Sequence, residues 1–247
     1  MKDKALQTFL ENHPTARVEQ RTPAWRHARL GRFTGSKMSE LMVKGRSKEV
    51  FGKTALAYIE RVASERLLLK GVIDNDEAWE AYSQLVDISN RYMRHGTEWE
   101  DDARQAYERL TKTTTHQVGF ITKDDYLGAS PDAVILNEDG TASGIVEIKC
   151  PLPATHMHYM RYISDSDTLK KEKPEYWYQM QTEMLVTGST HGDFVSFCPF
   201  LRHPLHIVHI EADKEAQEEM QQRVSAAIEE LEKYIECAKQ RENEIHT

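Results

Sequence analysis

The chain has 247 residues, of which 39% are hydrophobic and 29% charged, a balance that fits a folded globular protein and excludes an intrinsically disordered one. No apolar run approaches the length of a membrane span, and the stretch from Met1 to Ala5 lacks a signal peptide's apolar region, so a cytoplasmic protein without membrane association is expected. Cys150, Cys198 and Cys237 stand alone with no Cys-x-x-Cys pair, which fits a reducing compartment and excludes a disulfide framework or a zinc knuckle. The net charge of −8 hides an asymmetry: residues 1–70 carry 15 Lys+Arg against 7 Asp+Glu, and the acidic excess lies in the rest. A basic face on an acidic body is therefore expected, and a local positive surface is what phosphate contacts require.

Taken in chain order, the first 110 residues read as mainly helical. Ser36 is placed to cap a short helix through Val43. Over 53–70, Leu56, Ile59, Ala63 and Leu67 share one helical face, and Gly71 is the expected stop. Trp99, Ala103, Ala106 and Leu110 recur at helical spacing over 97–110. A β region follows, with strands expected over 117–121, 127–136 and 145–150. Pro174–Thr187 reads as a helix crossing the sheet, followed by strands over 194–199 and Leu205–Glu211. From Asp213 a long amphipathic helix aligns Met220, Val224, Ile228, Leu231, Ile235 and Ala238 along one stripe. There is no internal repeat, low-complexity tract or Pro/Gly/Ser-rich linker, so a single domain over 1–247 is expected. Its parts are 1–110, mainly helical; 111–211, a β-sheet core with its crossing helix; and 212–247, the C-terminal helix. The fold class is α/β, a central mixed β-sheet flanked by helices.

The chemistry concentrates in the middle of the chain. Ser130-Pro131-Asp132 is followed fifteen residues after Asp132 by Glu147, then Ile148 and Lys149. Two apolar runs flank Asn137-Glu138-Asp139-Gly140, whose Asp-Gly pair is a strong short-range hairpin signal. Strand alternation puts Glu147 and Lys149 on one face and Val146, Ile148 and Cys150 on the other. If the hairpin pairs, Asp132 lies beside Glu147, which gathers two carboxylates and an ammonium at a sheet edge. Hard divalent cations take such oxygens, and Mg²⁺ typically binds one or two carboxylates plus substrate phosphate. The trio suits metal-assisted phosphodiester hydrolysis, with Lys149 holding or deprotonating the attacking water. A surface hairpin with solvated charges is the plain alternative, although charges inside an apolar strand are costly to bury without a purpose. Two other motifs lead nowhere. Gly52-Lys53-Thr54 lacks the P-loop's earlier glycine, since Ser47 stands there, and His206 and His209 fall on opposite faces of a strand, which argues against zinc with His203.

Five motifs stand in order along most of the chain. They are Trp25-Arg26-His27-Ala28-Arg29-Leu30-Gly31 with Thr34-Gly35-Ser36; Gly96-Thr97-Glu98-Trp99-Glu100-Asp101-Asp102-Ala103; Ser130-Pro131-Asp132; Glu147-Ile148-Lys149-Cys150-Pro151; and Tyr176-Trp177-Tyr178-Gln179-Met180-Gln181. In this order the chain resembles the phage lambda exonuclease family of YqaJ-type viral recombinases, in the PD-(D/E)xK nuclease group. Ala133 stands where the family usually has Gly, and residues 72–94 are longer than the equivalent connection, which bears on the DNA channel more than on the chemistry.

The resemblance implies a restriction-endonuclease-like core and a Mg²⁺-dependent exonuclease, with one or two ions per site and Mn²⁺ as a possible substitute. Such an enzyme degrades one strand of linear double-stranded DNA from its 5′ end to mononucleotides, leaving 3′ single-stranded DNA for homologous recombination by strand annealing. A ring-shaped homotrimer, a single-strand annealing recombinase as partner, and a phage or prophage gene acting in a bacterial cytoplasm are implied as well. Residue by residue, the family's metal ligands fall on Asp132, Glu147, the Ile148 carbonyl and Glu100. Its water-positioning groups fall on Lys149 and Gln179, and its 5′-phosphate pocket on Arg29, Ser36 and Ser130, so that 1–110 becomes the DNA-end-binding part. The residues taken alone leave alternatives open. Thr97 and Glu100 also form a capping box, and an exposed helical Gln such as Gln181 commonly does nothing. Tyr176 either flanks the site or packs. Arg29 and Ser36 read equally as a surface Arg and an ordinary cap, although a capped helix start beside Arg is a ready anion site. A PD-(D/E)xK endonuclease, or a catalytically inactive DNA-end-binding module, are the competing functions.

Overall fold

The structure, a computed structural model, describes residues 2–46, 49–86 and 91–245. Ser47 and the 87–90 part of the long 72–94 connection lie outside the described residues.

The N-terminal part is helical as expected. Helix α1 (Lys2–Asn12) leads through a 3-10 turn (Pro14–Arg17) to α2 (Pro23–Arg29). Thr22 caps α2, its Oγ1 accepting from the Trp25 N–H at 3.2 Å, and Pro23 takes the first helical position, where no N–H is needed. Strand β1 (Phe33–Thr34), a 3-10 turn (Gly35–Lys37) and α3 (Met38–Leu41) follow. Ser36 lies inside that turn and caps no helix, contrary to the sequence expectation. Helix α4 (Lys53–Arg66) buries Ala55, Tyr58, Ile59, Val62 and Ala63. It stops short of Leu67, which is 42% exposed, and Gly71 sits within a separate short helix, α5 (Lys70–Ile73). Helices α6 (Asp76–Val86) and α7 (Arg91–Thr111) complete this part. Because α7 begins at Arg91, Thr97 is interior to it and the capping-box reading of Glu100 falls. Tyr107 rather than Leu110 reaches the core, Leu110 being 67% exposed.

The expected strand over 127–136 is two strands. Pro131 has no N–H to continue a ladder, and the chain breaks at Ser130-Pro131-Asp132 between β3 (Leu127–Ala129) and β4 (Ala133–Leu136). The expected strand over 117–121 reduces to β2 (Ile121–Thr122) and a bridge from His116 to Val134. With β1, these pieces form a small sheet ordered β1-β3-β2. The hairpin forms between β4 and β5 (Ala142–Lys149), and Gly140 at φ 84 supplies the left-handed residue of its turn. Two helices absent from the sequence reading, α8 (Pro153–Tyr162) and α9 (Ser166–Glu172), precede α10 (Pro174–Thr187). Strands β6 (His191–Phe197) and β7 (Leu205–Glu211) finish a four-stranded sheet ordered β4-β5-β6-β7. Its central pair, β5 and β6, is parallel and both outer pairs are antiparallel, so α10 lies on the crossover between the parallel strands.

The two faces of this sheet pack differently. Ile145, Phe194, Val208 and Ile210 meet Trp177, Met180 and Met184 of α10 on one face. On the other, Ala133, Val146, Ile148, Val195 and Phe197 meet Ala103 and Tyr107 of α7. The long C-terminal helix α11 (Lys214–Ile245) adds Met220, Val224, Ala227, Leu231 and Ile235 to the first face. Gln181 is no idle surface residue: it is fully buried, donating to the Glu211 carbonyl at 2.9 Å and accepting from the Asp213 N–H at 2.8 Å, which fastens the β7–α11 junction to α10. Among the described residues, no helix is long and apolar enough to cross a membrane.

Candidate active site

The hairpin register decides the geometry of the site. Ala133 pairs with Val146, so Asp132 and Glu147 are the next residues outward on facing strands. Asp132 Oδ2 accepts from the Ile148 N–H at 2.7 Å, which ties the residue after the chain break to the end of β5. Glu147 and Lys149 project onto the α10 face, as alternation requires. Glu147 is only 1% exposed, and its Oε1 accepts from Lys149 Nζ and, at 2.6 Å, from Gln179 Nε2 of α10. The same Gln179 amide donates to Glu183 Oε1 at 2.9 Å, one helical turn further along. The alternatives for Tyr176 are not exclusive: its ring lies 5.0 Å from Lys149 Nζ and also stacks on Phe194 at 5.9 Å.

Charge here is not balanced within the protein. Glu147 Oε2 and Glu183 Oε2 are buried without a hydrogen-bond partner. Burial, reinforced by Glu147 and Glu100, holds the Asp132 carboxyl well above the usual carboxylate range. Burial and Glu147 do the same to Glu183. For Lys149, burial alone lowers the pKa, but Glu147 and Asp132 outweigh it and the ammonium keeps its proton. On the opposite face, burial together with Glu100 and Asp132 pushes the Cys150 thiol up to about 12, so it is inert at neutral pH.

Such a cluster fits a divalent cation, since an unpartnered buried carboxylate oxygen is a donor without an occupation. Among the described residues, however, no group of three or more His, Cys, Asp or Glu side chains is arranged to hold a metal ion. Glu100 is engaged elsewhere, its Oε2 accepting from Arg21 Nη2. Asp132 and Glu147 therefore form the acidic pair, a number that suffices for Mg²⁺ when substrate oxygens and water complete the shell. Asp132 and Glu100 share a cleft of about 310 Å³ with Arg17, Gln20, Arg21 and Val118.

The three residues expected to form a phosphate pocket converge nearby. Arg29 Nη1 donates to Ser130 Oγ at 3.5 Å and its Nη2 to Ser36 Oγ at 3.3 Å. Trp25 Nε1 also donates to Ser130 Oγ, at 2.9 Å, and the Arg29 guanidinium lies 4.2 Å from the Trp25 ring. Burial pulls the Arg29 pKa down, with Tyr58, Glu65 and Glu183 opposing, yet a guanidinium stays charged at neutral pH. A charged fork facing hydroxyls rather than a carboxylate can take up an anion without first breaking an ion pair.

Glu183 and Arg21 escaped the sequence reading. The one available signal for Glu183 was its spacing of four from Gln179, but α10 is buried on nearly every side and shows no polar face to read. Arg21 carried no signal, because its contact is with Glu100, far off in sequence.

Two strands that bring Asp132, Glu147 and Lys149 together beneath a helix-borne Gln define a nuclease core of the PD-(D/E)xK class. Residues 24–190 match the YqaJ-like viral recombinase domain, so the chain belongs to that family and is a nuclease of it. LHK-Exo, an alkaline exonuclease from Laribacter hongkongensis, is similar at 30% identity and a TM-score of 0.71, over 91% of this chain and 100% of that one. Its structure in complex with dAMP matches at 31% identity and a TM-score of 0.72 with the same coverage. A phage-related exonuclease from Haemophilus somnus 129PT shares the fold at 14% identity and a TM-score of 0.63, over 85% of this chain and 96% of that one. No curated protein matches the sequence.

Proposed function

We propose that this nuclease is a Mg²⁺-dependent 5′→3′ exonuclease that degrades one strand of linear double-stranded DNA to mononucleotides. The 3′ single strand left behind then serves homologous recombination by strand annealing. The observation that carries the reading is the adjacency of two unlike sites across one tripeptide. Ser130 faces Arg29 and Trp25, whereas Asp132, two residues on, faces the Ile148 N–H and the acidic cluster. A terminal 5′-phosphate held by Arg29, Ser36 and Ser130 would set the next phosphodiester beside Asp132, Glu147 and Lys149. Position along the strand is then measured from its end. A family relative binds dAMP, a nucleoside monophosphate, which is the product class expected of such cutting.

Asp132 and Glu147, with the Ile148 carbonyl and Glu100, would hold one or two Mg²⁺ ions, for which Mn²⁺ is a substitute. When bound, the ion supplies charge stabilisation at the phosphoryl oxygens and makes water more acidic. Lys149, held as an ammonium between Glu147 and the Tyr176 ring, donates to the attacking water or to a phosphate oxygen and fixes its position. Gln179 spends its amide N–H groups on Glu147 and Glu183, which leaves its carbonyl oxygen to orient Lys149 or the water. Glu183 acts through Gln179 and is a positioning residue. The excess of basic residues over 1–70 supports a DNA-facing surface there. Family membership supports a ring-shaped homotrimer, an annealing recombinase as partner, and a phage or prophage origin with action in the bacterial cytoplasm.

The test is digestion with Mg²⁺ of linear duplex DNA labelled at both ends of one strand, beside a closed circle. Early release of the 5′ label as a mononucleotide, with the 3′ label retained and the circle intact, is expected. Discrete internal cuts, or cleavage of the circle, would replace the reading with an endonuclease; binding without cleavage would remove the catalytic assignment.

A further inference from the structure

We propose that Arg21 is an exchangeable counter-ion: its guanidinium holds Glu100 until a divalent cation takes that carboxylate, and then passes to a phosphate of the DNA in the same cleft. The inference rests on the metal-nuclease reading and adds to it a residue that couples cation binding to DNA binding.

Three observations carry it. Arg21 adopts φ 68, a left-handed conformation that disfavours any residue with a Cβ. Among the described residues the other such non-glycine, Lys112, directly follows α7, where that conformation is an ordinary helix stop. Arg21 stands instead in the turn Glu19–Thr22 ahead of α2, a position that ordinarily goes to Gly or Asn, and its side chain is 46% exposed, so burial does not offset the cost of its Cβ. Strain of this kind persists where the surroundings fix the backbone, and here both neighbours are anchored. Gln20 Nε2 donates to the Val118 and Pro131 carbonyls at 2.8 and 3.0 Å, while Thr22 Oγ1 donates to the Glu19 carbonyl at 2.7 Å and caps α2. The turn is thus fastened to the residue before Asp132 on one side and to the helix bearing Arg29 on the other.

The third observation is what the side chain does. Arg21 occupies Glu100, a carboxylate that shares the cleft with Asp132 and bears on it electrostatically. Glu100 and Asp132 are thus two carboxylates on one cleft, and a guanidinium holds one of them. The guanidinium is half exposed although Glu100 is mostly covered, so water screens the pair from one side and it can exchange; a divalent cation binds a carboxylate beside a second carboxylate more strongly than a guanidinium does. Once released, Arg21 stands with Arg17 on the wall of a cleft whose floor is then neutralised, and a phosphate is the complementary partner. Cation and DNA binding must then strengthen one another by the same factor.

The experiment uses the full chain and does not depend on turnover. Mg²⁺ is titrated calorimetrically into DNA-free wild type, Arg21→Gly and Glu100→Gln, and the affinity for a 5′-phosphorylated duplex is measured in EDTA and in Ca²⁺. Arg21→Gly should bind Mg²⁺ about two- to fivefold more tightly than wild type, the scale of a half-exposed ion pair. It should melt no lower, because Gly accepts the backbone angle, and its DNA affinity should gain less from Ca²⁺ than that of wild type. Unchanged or weaker Mg²⁺ binding by Arg21→Gly, or an equal gain from Ca²⁺, overturns the proposal. If Glu100→Gln still weakens Mg²⁺ binding in that case, the nuclease reading survives alone; if no form binds Mg²⁺, both fall.

Discussion

One sheet carries acids on both of its faces, part-buried on one and fully buried on the other, and the two faces treat them oppositely. Asp193 pairs in register with Val146 and faces α7, whereas Glu147, one residue on, pairs with Phe194 and faces α10. Both oxygens of Asp193 are satisfied, one by Tyr107 Oη at 2.5 Å and the other by His209 Nδ1 at 2.9 Å. Glu147 and Glu183 each keep a buried oxygen with no partner. The scaffold thus furnishes donors to both oxygens of a part-buried acid on one side, and to only one oxygen of each buried acid on the α10 side. Under the proposed function the unspent acceptors belong to the cation site, and the satisfied ones to the architecture.

The largest expected effect lies at the ammonium. Lys149→Ala should lower turnover by about 10²- to 10⁴-fold, as loss of a positioned proton-bearing group does, while duplex affinity in a filter-binding assay stays close to wild type. Loss of binding together with turnover would contradict the assigned role. Next comes the phosphate pocket: Arg29→Ala should erase a preference for 5′-phosphorylated ends of about 10- to 100-fold, the worth of a charge-assisted bond. Competition between phosphorylated and hydroxyl-ended duplexes checks this, and equal use of both ends by wild type would refute it. The contrast between the faces is sharpened by a mirrored pair. Glu183→Leu should cost about tenfold in turnover yet raise stability in urea by roughly 1 kcal/mol, since an unsatisfied buried carboxylate disappears. Asp193→Leu should leave turnover alone and lower stability by about 1–3 kcal/mol, because Tyr107 and His209 lose their acceptor. Identical signs for the two would dissolve the comparison.

The smallest effect concerns pH. Burial lowers the pKa of His209, but the bonds from Asp193 and Glu211 outweigh it and the net shift is upward. A raised folded-state pKa contributes stability that is complete below the unfolded value of about 6.5 and fades as pH rises through the folded value. Melting temperature should therefore fall slightly on going upward from about pH 6.5, and His209→Asn should remove that slope. The half-exposed ring keeps the effect small.

Much of this was legible in the sequence because it follows from short-range rules. The Asp139-Gly140 turn fixes the hairpin, period-two alternation separates Glu147 from Ile148, and the hairpin register brings Asp132 level with Glu147. Pro174–Thr187 and Leu205–Glu211 fall where their patterns place them. The failures are long-range. Residues 127–136 look like one apolar strand; Pro131 interrupts its ladder, but that the two pieces join different sheets is a long-range outcome. Helix α8 shows little amphipathic contrast and α9 is only two turns long, and Gln181 and Glu183 sit in a helix enclosed on nearly all sides, where local pattern carries no information about partners. Convergence of Arg29, Ser36 and Ser130 was reached only through family resemblance, since it joins three separate elements.

The most direct test of the account compares thermal unfolding with and without Mg²⁺ for wild type, Asp132→Asn and Asp193→Asn. If Asp132 and the α10-facing Glu147 form a cation site, Mg²⁺ at about ten times its Kd should stabilise wild type and Asp193→Asn by about 1.4 kcal/mol and leave Asp132→Asn unmoved. A shift that survives in Asp132→Asn, or is missing from wild type, would contradict it.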